Sequence, residues 1–542
     1  MLSKLLLSAV AALGSYAIFH LVKYLHQQLT SPLRGLPGPP NPSLFLGHFK
    51  ELTDDSDITQ KWKAQYGLNF QMKNLFSTRE LYTADTKALT HIAVHSDIYQ
   101  KAQFVRYLLS RTVGNGLLVV EGDDHRRQRK ILNPAFGVPQ IRELTSVFVE
   151  KSIQLRNIWA SEIASADDGA ARIDVLSWTS KTTLDIIGQA GFNYHFNALS
   201  VAGKPSELNK VFSQIFHGPQ SKLQTALRLL QGLVPILRPL ASDIPLHAPH
   251  PIGRRRLLQK AQDSMARIGE ELLAESRAAL NADKSEGEPA RRRDLLSLLL
   301  KANASDDAPL SDKDLIAQLP AFFVAGHETT STATAWALYA LARNPAVQQK
   351  LRTELLTLDT DEPSLDNLNA LPYLEMVLRE TLRAHSPVTH TGRIATADDV
   401  LPLARPYVDA QGRAHDTLRI SKGQLIHIPI FDVNTDTDIW GPDAATFRPE
   451  RWDAVPESAR AVPGVWAHLF TFLAGPRNCI GFRFALAEMK ALLFVLVRAF
   501  EFEIDVPEGG VGHTSTPVQR PIVLGEREKG AQMPLIVRPY RE

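Results

Sequence analysis

Cysteine is nearly missing from this chain: one residue in 542. A single cysteine closes no intrachain disulfide and builds neither a multi-cysteine zinc site nor an iron–sulfur cluster. A reducing compartment is the natural setting. An excess of one charge is missing too, because 60 Lys and Arg stand against 58 Asp and Glu, a formal net charge of +2. No global field therefore draws the chain to nucleic acid. There is no flexible interdomain linker and no repeat at a fixed period. Nor does a Gly-x-Gly-x-x-Gly lie between a strand and a helix, so a flavin or nicotinamide module of that kind is excluded.

Hydrophobic content of 44% against 22% charged is ordinary for a chain that buries a large core. Length alone would divide the chain into three or four domains, but the absence of linkers favours one large body. The N-terminus differs from the rest. From Leu5 to Val22 it is almost wholly apolar, just long enough for a spanning helix. A small-x-small pattern, Ser15-Tyr16-Ala17, lies inside this run rather than after it, which argues against signal cleavage. Lys4 precedes the run, whereas Lys23, Arg34 and Lys50 follow it, placing the body in the cytosol. The expectation is a membrane anchor over 1–25, a stiff Pro-rich connector over 26–42 and a catalytic domain over 43–542.

The body reads as mainly α with a minor β part. Amphipathic periodicity predicts long helices over Leu257–Ala279 and Leu315–Ala342, with Pro320 marking a kink or a late start. Residues 282–293 read as a polar loop, Thr391–Ile430 as small strands, and Phe482–Val497 as a last helix.

Chemistry enters at Phe472-Leu473-Ala474-Gly475-Pro476-Arg477-Asn478-Cys479-Ile480-Gly481. Gly475-Pro476 forces a turn. Cys479 precedes a strongly helical run, whose first N–H groups can face the sulfur and favour thiolate, the metal-binding form. Gly481 leaves room for something flat, Phe472 can cover the sulfur, and Arg477 can neutralise an anion. Solitude alone would make Cys479 an inert buried side chain. Its spacing overturns that, because the segment resembles the haem-binding signature of the cytochrome P-450 family, Phe-x-x-Gly-x-Arg-x-Cys-x-Gly, at every fixed position. Five such matches arise by chance on the order of once in ten million starting points.

The resemblance extends over nearly the whole chain and implies the cytochrome P-450 fold, with Cys479 as axial ligand of haem iron. Glu380-Thr381-Leu382-Arg383 resembles the family's Glu-x-x-Arg element. The pattern also occurs at Glu288/Arg291 and Glu457/Arg460, but Glu380 alone is followed by a segment like Phe447–Trp452. A structural network of Glu380, Arg383 and Arg451 is implied. Ala325–Thr330 resembles the oxygen-activation motif, which implies Glu328 as acid and Thr329 as hydroxyl relay. His125 and Arg129 resemble the helix that contacts the haem propionates, with His where Trp is usual; Arg393 resembles a third contact. Arg126, Arg127 and Lys130 lie on another face, either docking an acidic electron donor or simply solvated.

Together these imply a haem b enzyme that inserts one oxygen atom of O2 into a hydrophobic small molecule. Electrons come in trans, from an NADPH-dependent flavoprotein reductase. Single-pass residence in the endoplasmic reticulum membrane, with the catalytic body cytosolic, is the matching location, and the motifs look most like fungal members of secondary metabolism, acting on a terpenoid or steroid. Two rivals are a reductase-independent haem-thiolate isomerase or dehydratase, which the Glu328-Thr329 pair argues against, and a non-catalytic membrane haem binder. Phe322, Phe323 and the loop Phe104–Leu117 are candidate pocket residues.

Overall fold

The computed structural model describes residues 2–55, 57–200, 251–286, 294–409, 411–514 and 518–541; for some helical residues, chiefly in 2–21, 251–262 and 283–286, only the backbone is described. The helices that position the site are α1 (Leu2–Thr30), α2 (Gln103–Val113), α3 (Gly122–Leu132), α4 (Val138–Ala164), α5 (Val175–Phe192), α6 (Pro251–Glu286), α7 (Gln318–Arg343), α8 (Pro372–Ala384) and α9 (Phe482–Ala499). The strands are β1 (Asn69–Lys73), β2 (Arg79–Thr83), β3 (Tyr99–Gln100), β4 (Ala171–Asp174), β5 (Thr391–Ala395), β6 (Asp399–Val408), β7 (Ala414–Ile420), β8 (Leu425–Ile428), β9 (Phe500–Ile504), β10 (Val511–His513), β11 (Pro521–Val523) and β12 (Pro534–Pro539).

Two helices form the centre. α9 is buried on every side from Leu486 to Val497 and packs on α4, α7 and α8. α7 is buried along almost all of its second half, where Ala333, Ala335, Ala337, Ala340 and Ala342 let neighbours come close. Its main partner is α5, and at Gly326 the two lie close: a Cβ there would meet Ile187 Cγ1 at 3.0 Å. Asp174 caps α5, accepting from Ser177 N–H at 3.3 Å, and also accepts from Met533 N–H at 2.9 Å. The start of α5 is thereby tied to the C-terminal tail.

One five-stranded sheet runs β1-β2-β8-β5-β3, with β2 and β8 parallel and the other pairs antiparallel. β12 pairs with both β4 and β9. β6 with β7, and β10 with β11, form hairpins.

The mainly α architecture with some strands is what the sequence leads one to expect, with local corrections. The expected helix Leu315–Ala342 is two helices, because Asp312–Ile316 ends before Ala317 and α7 begins at Gln318. Pro320 sits in the first turn of α7, where a missing N–H costs no helical bond. The loop placed at 282–293 begins too early, since α6 continues to Glu286; Ala, Lys and Glu there are good helix formers despite their polarity. Residues 287–293 lie outside the described residues. The supposed loop Phe104–Leu117 is helical as far as Val113.

Residues 2–30 form one helix, but many side chains of the run Leu5–Val22 lie outside the described residues. Among the described residues, no helix is long and apolar enough to cross a membrane.

Candidate active site

The cysteine loop leads into α9. Gly475 adopts φ +64°, and a Cβ there would come 2.2 Å from the Ala93 carbonyl oxygen, so only glycine lets the loop pass. The Cys479 N–H donates to the Phe472 carbonyl at 2.9 Å. Phe472 thus meets Cys479 through its backbone, while its ring packs on Trp466 and Phe482, with centroids 5.9 and 6.1 Å away. Gly481 has only the Phe136 ring near its missing Cβ, at 3.8 Å.

Cys479 is accessible although protein surrounds it at depth, so it opens on an internal space rather than on packed side chains. Burial pushes its thiol up, and the Gly481 N–H and the Arg129 guanidinium only partly oppose this. The expectation that the helix start alone favours thiolate is therefore corrected. Desolvation outweighs one N–H and one nearby cation, and a metal cation at the sulfur would supply what is short.

A buried cluster of basic side chains lies beside this loop. Lys101 is held well below its ordinary value by burial and by Arg393, Arg477 and Arg106. His125 is pushed down to about 4 by burial, then by Lys101 and Arg129. Burial brings Arg393 and Arg477 each to about 10. Among the described residues one acid answers them: Glu121 pairs with Arg477 and lies 3.6 Å from Lys101. Burial and mutual repulsion here work against the charged forms, and an anion beside these groups would restore them. The two carboxylates of haem are of the right sign and number, so the donors present fit that group.

The expected contacts are distributed unevenly around this cluster. Arg393 and Arg477 line one cavity with Phe470, Leu473 and Ala474. Arg129 is spent on the loop itself: it donates to the Asn478 carbonyl at 2.6 Å and to the Asn478 and Asn133 side chains. Lys101 and Glu121 escaped the sequence reading. Only the pairing of Tyr99 and Gln100 with Ala395 and Ile394 brings Lys101 beside Arg393, and no local spacing reports that.

On α7, Thr329 donates to the Ala325 carbonyl at 2.8 Å, and Ala325 keeps accessible surface in the middle of a buried helix. Thr183 of α5 donates to the His327 carbonyl at 3.0 Å and Thr179 to the Ser331 carbonyl at 3.2 Å. Glu328 is buried and pairs with Arg520, a residue the sequence reading did not single out. Phe323 belongs to the core, packed on Phe192 and Phe196 at 4.5 and 5.1 Å; Phe322 remains half-buried against Phe136.

Glu380, Arg383 and Arg451 meet behind the loop, almost inaccessible to water. Glu380 accepts from Arg383 at 2.7 and 2.9 Å and from Arg451 at 3.4 Å. Arg383 also donates to the carbonyls of Asn434, Ala444 and Thr446. By contrast, the basic face of α3 is answered locally. Arg126 pairs with Asp123, Arg127 lies 3.8 Å from Asp124, and Lys130 bonds Asp306 at 2.7 Å.

The family model described as cytochrome P450 matches residues 37–517, most of the chain. The chain belongs to the cytochrome P450 family. Over 540 residues it is 49% identical to cytochrome P450 monooxygenase 205 of Postia placenta, covering 98% of this chain and 97% of that protein. Monooxygenase 128 of the same fungus is also 49% identical, over 544 residues and the same shares. Cytochrome P450 monooxygenase claO of Ampulloclitocybe clavipes is 37% identical over 525 residues, 94% of this chain and 93% of that one. This cytochrome P450 is therefore an enzyme of the haem-dependent monooxygenase class. The family uses haem b bound through a cysteine thiolate, with O2 and NADPH-derived electrons from a partner, generally a reductase.

Proposed function

We propose that this P450 oxidises a hydrophobic small molecule of the terpenoid or steroid kind in secondary metabolism, with Cys479 as the iron ligand. The observation that carries the site assignment is a deep yet open cysteine beside a buried cluster of basic side chains. Haem, when bound, supplies the redox chemistry on dioxygen. Lys101, His125, Arg393 and Arg477 hold its two carboxylates, and Arg129 fixes the loop that presents the sulfur. Thr329 and Glu328 carry protons inward from the solvent side. Glu380, Arg383 and Arg451 keep the loop's support rigid. An apolar substrate is favoured by the open face of α7, where Phe322, Val324 and Ala325 retain accessible surface.

The same reading divides the chain into an anchor (1–25), a connector (26–42) and a catalytic domain (43–542), with the anchor crossing the endoplasmic reticulum membrane once. α1, at 29 residues, spans about 43 Å. Ile18, Phe19, Val22 and Leu29 on it are all exposed, at 59–63%, a display of apolar surface that a bilayer would cover. A membrane-bound NADPH-dependent flavoprotein reductase is then the electron donor. The deciding measurement is the reduced carbon-monoxide spectrum of the full chain. The thiolate-type Soret shift is expected, and Cys479→Ser abolishes it; an unchanged spectrum in that variant would overturn the assignment. High-spin shifts of the ferric protein against a panel of apolar compounds then identify the substrate.

A further inference from the structure

The segment 385–390 leads from α8 to β5 and stands between α7 and the cysteine loop. The His385 ring lies flat on Trp336 of α7, with centroids 4.8 Å apart. Ser386 Oγ is 3.3 Å from Thr471 Oγ1, beside Phe472. The Pro387 carbonyl accepts from the Gln519 N–H at 2.8 Å, and the Thr389 carbonyl from the Phe431 N–H at 2.9 Å. The segment is thus pinned along its length, and it ends on His390. Like Cys479, His390 is accessible although protein surrounds it at depth, so it faces internal space rather than bulk water.

A column of rings holds that imidazole in one plane. His390 stacks on His427 at 4.9 Å, His427 on Tyr82 at 5.8 Å and Tyr82 on Phe70 at 4.2 Å, every pair within 17° of parallel. Phe70, Tyr82 and His427 form one cross-strand row of β1, β2 and β8. The Tyr82 hydroxyl anchors the row by donating to Asp432 at 2.6 Å. The two nitrogens of His390 are used unequally. Nδ1 lies 3.3 Å from Thr389 Oγ1, whereas Nε2 has no partner among the described residues. Burial pushes the imidazole below its ordinary value, so the ring is neutral at neutral pH. A buried polar atom needs a partner, and a ligand that supplies one takes the place of water.

We propose that His390 sets specificity in this P450, its Nε2 hydrogen-bonding a hydroxyl or ketone oxygen that the substrate already carries. This rests on the reading of a terpenoid or steroid substrate and narrows it to an oxygenated one. A hydroxyl answers Nε2 in either tautomer, and a ketone answers it when the proton sits there. A reaction that introduces oxygen into the hydrocarbon skeleton must then precede this one.

The test uses the haem-loaded full chain and three probe pairs, each a hydrocarbon skeleton and an oxygenated form: menthane with menthol, bisabolene with bisabolol, and androstane with androsterone. High-spin shifts of the ferric protein give the dissociation constants, and the quantity read is their ratio within a pair. His390→Phe keeps a ring on the stack. It should shift that ratio about three- to ten-fold toward the hydrocarbon in at least one pair, the worth of one hydrogen bond. Hydrocarbon binding by the variant shows that its site is still formed. His427→Phe alters a buried ring of the same column and should leave the ratio in place. Ratios that His390→Phe leaves unmoved, or that His427→Phe moves as far, overturn the proposal while the terpenoid or steroid reading stands. A nitrogen-ligated ferric spectrum that His390→Phe converts to the water-ligated kind also overturns it, because the imidazole would then take the iron's open position. If no member of any pair shifts the spin state, that reading falls and the role of His390 falls with it.

Discussion

Replacing Glu380 by Gln removes one buried negative charge at nearly constant volume. Five donors converge on its two oxygens: Arg383 Nη2 and Nε at 2.7 and 2.9 Å, Arg451 Nε at 3.4 Å, Trp452 Nε1 at 3.2 Å and the Arg448 N–H at 2.9 Å. The amide turns one acceptor into a donor facing these donors. Arg451 keeps Asp443, at 2.7 Å, as a charged partner, while Arg383 retains only carbonyls. Removing one member of a buried pair costs about 3–5 kcal/mol, because the remaining charge is left uncompensated. Glu457→Gln is the matched control, since it breaks another i,i+3 pair, to Arg460 at 3.3 Å, that is exposed on both sides. That loss is worth about 0–1 kcal/mol. The assay is the urea midpoint of each variant, followed by tryptophan fluorescence and by the Soret band. Glu380→Gln should lower the midpoint clearly and Glu457→Gln hardly at all. Equal shifts in the two variants would refute the reasoning.

Lys101→Met should have opposite effects on the two forms of the protein. Relieved of burying an amine beside Arg393, Arg477 and Arg106, the haem-free chain gains thermal stability, while haem passes faster to an apomyoglobin acceptor. Gly326→Ala sets a methyl 3.0 Å from Ile187 Cγ1, so an overpacking cost of about 1–3 kcal/mol works against a helix gain of about 1 kcal/mol, and the net effect is a small loss. Ile187→Val in the same chain should recover part of that loss in a melting experiment. His385, stacked on Trp336 at 4.8 Å, is pushed down to about 4 by burial and then by Arg383 and His513. A lowered folded value means the unfolded chain takes up the proton first, so stability is present above about pH 6.5 and is lost as pH falls toward 4. The loss amounts to roughly 3 kcal/mol, and His385→Phe should flatten the melting temperature across that window.

What the sequence reveals of the site is what local spacing can carry. Phe472 to Gly481 and Glu380 to Arg383 each lie within a turn or two of chain, so their geometry follows from residue order. Arg451 meets them because the segment around it bonds Arg383 through the Ala444 and Thr446 carbonyls. Lys101 follows β3, Glu121 precedes α3 and Arg520 sits on the β10–β11 hairpin, and no periodicity announces that such distant segments meet. Helix periodicity likewise ran straight through Ala317, because a break of one residue barely disturbs a repeat of 3.6.

The last described strand, β12, has a consequence for what this enzyme's framework includes. It fills the gap between β4 and β9, while the neighbouring hairpin delivers Arg520 to Glu328. Both depend on residues that follow the cysteine loop in the chain. A chain cut back to Ala499 would keep that loop and the central helices, yet it would lack the guanidinium opposite Glu328 and the strand that joins β4 to β9. The segment after the last long helix is therefore as much a part of the site's framework as the helices themselves.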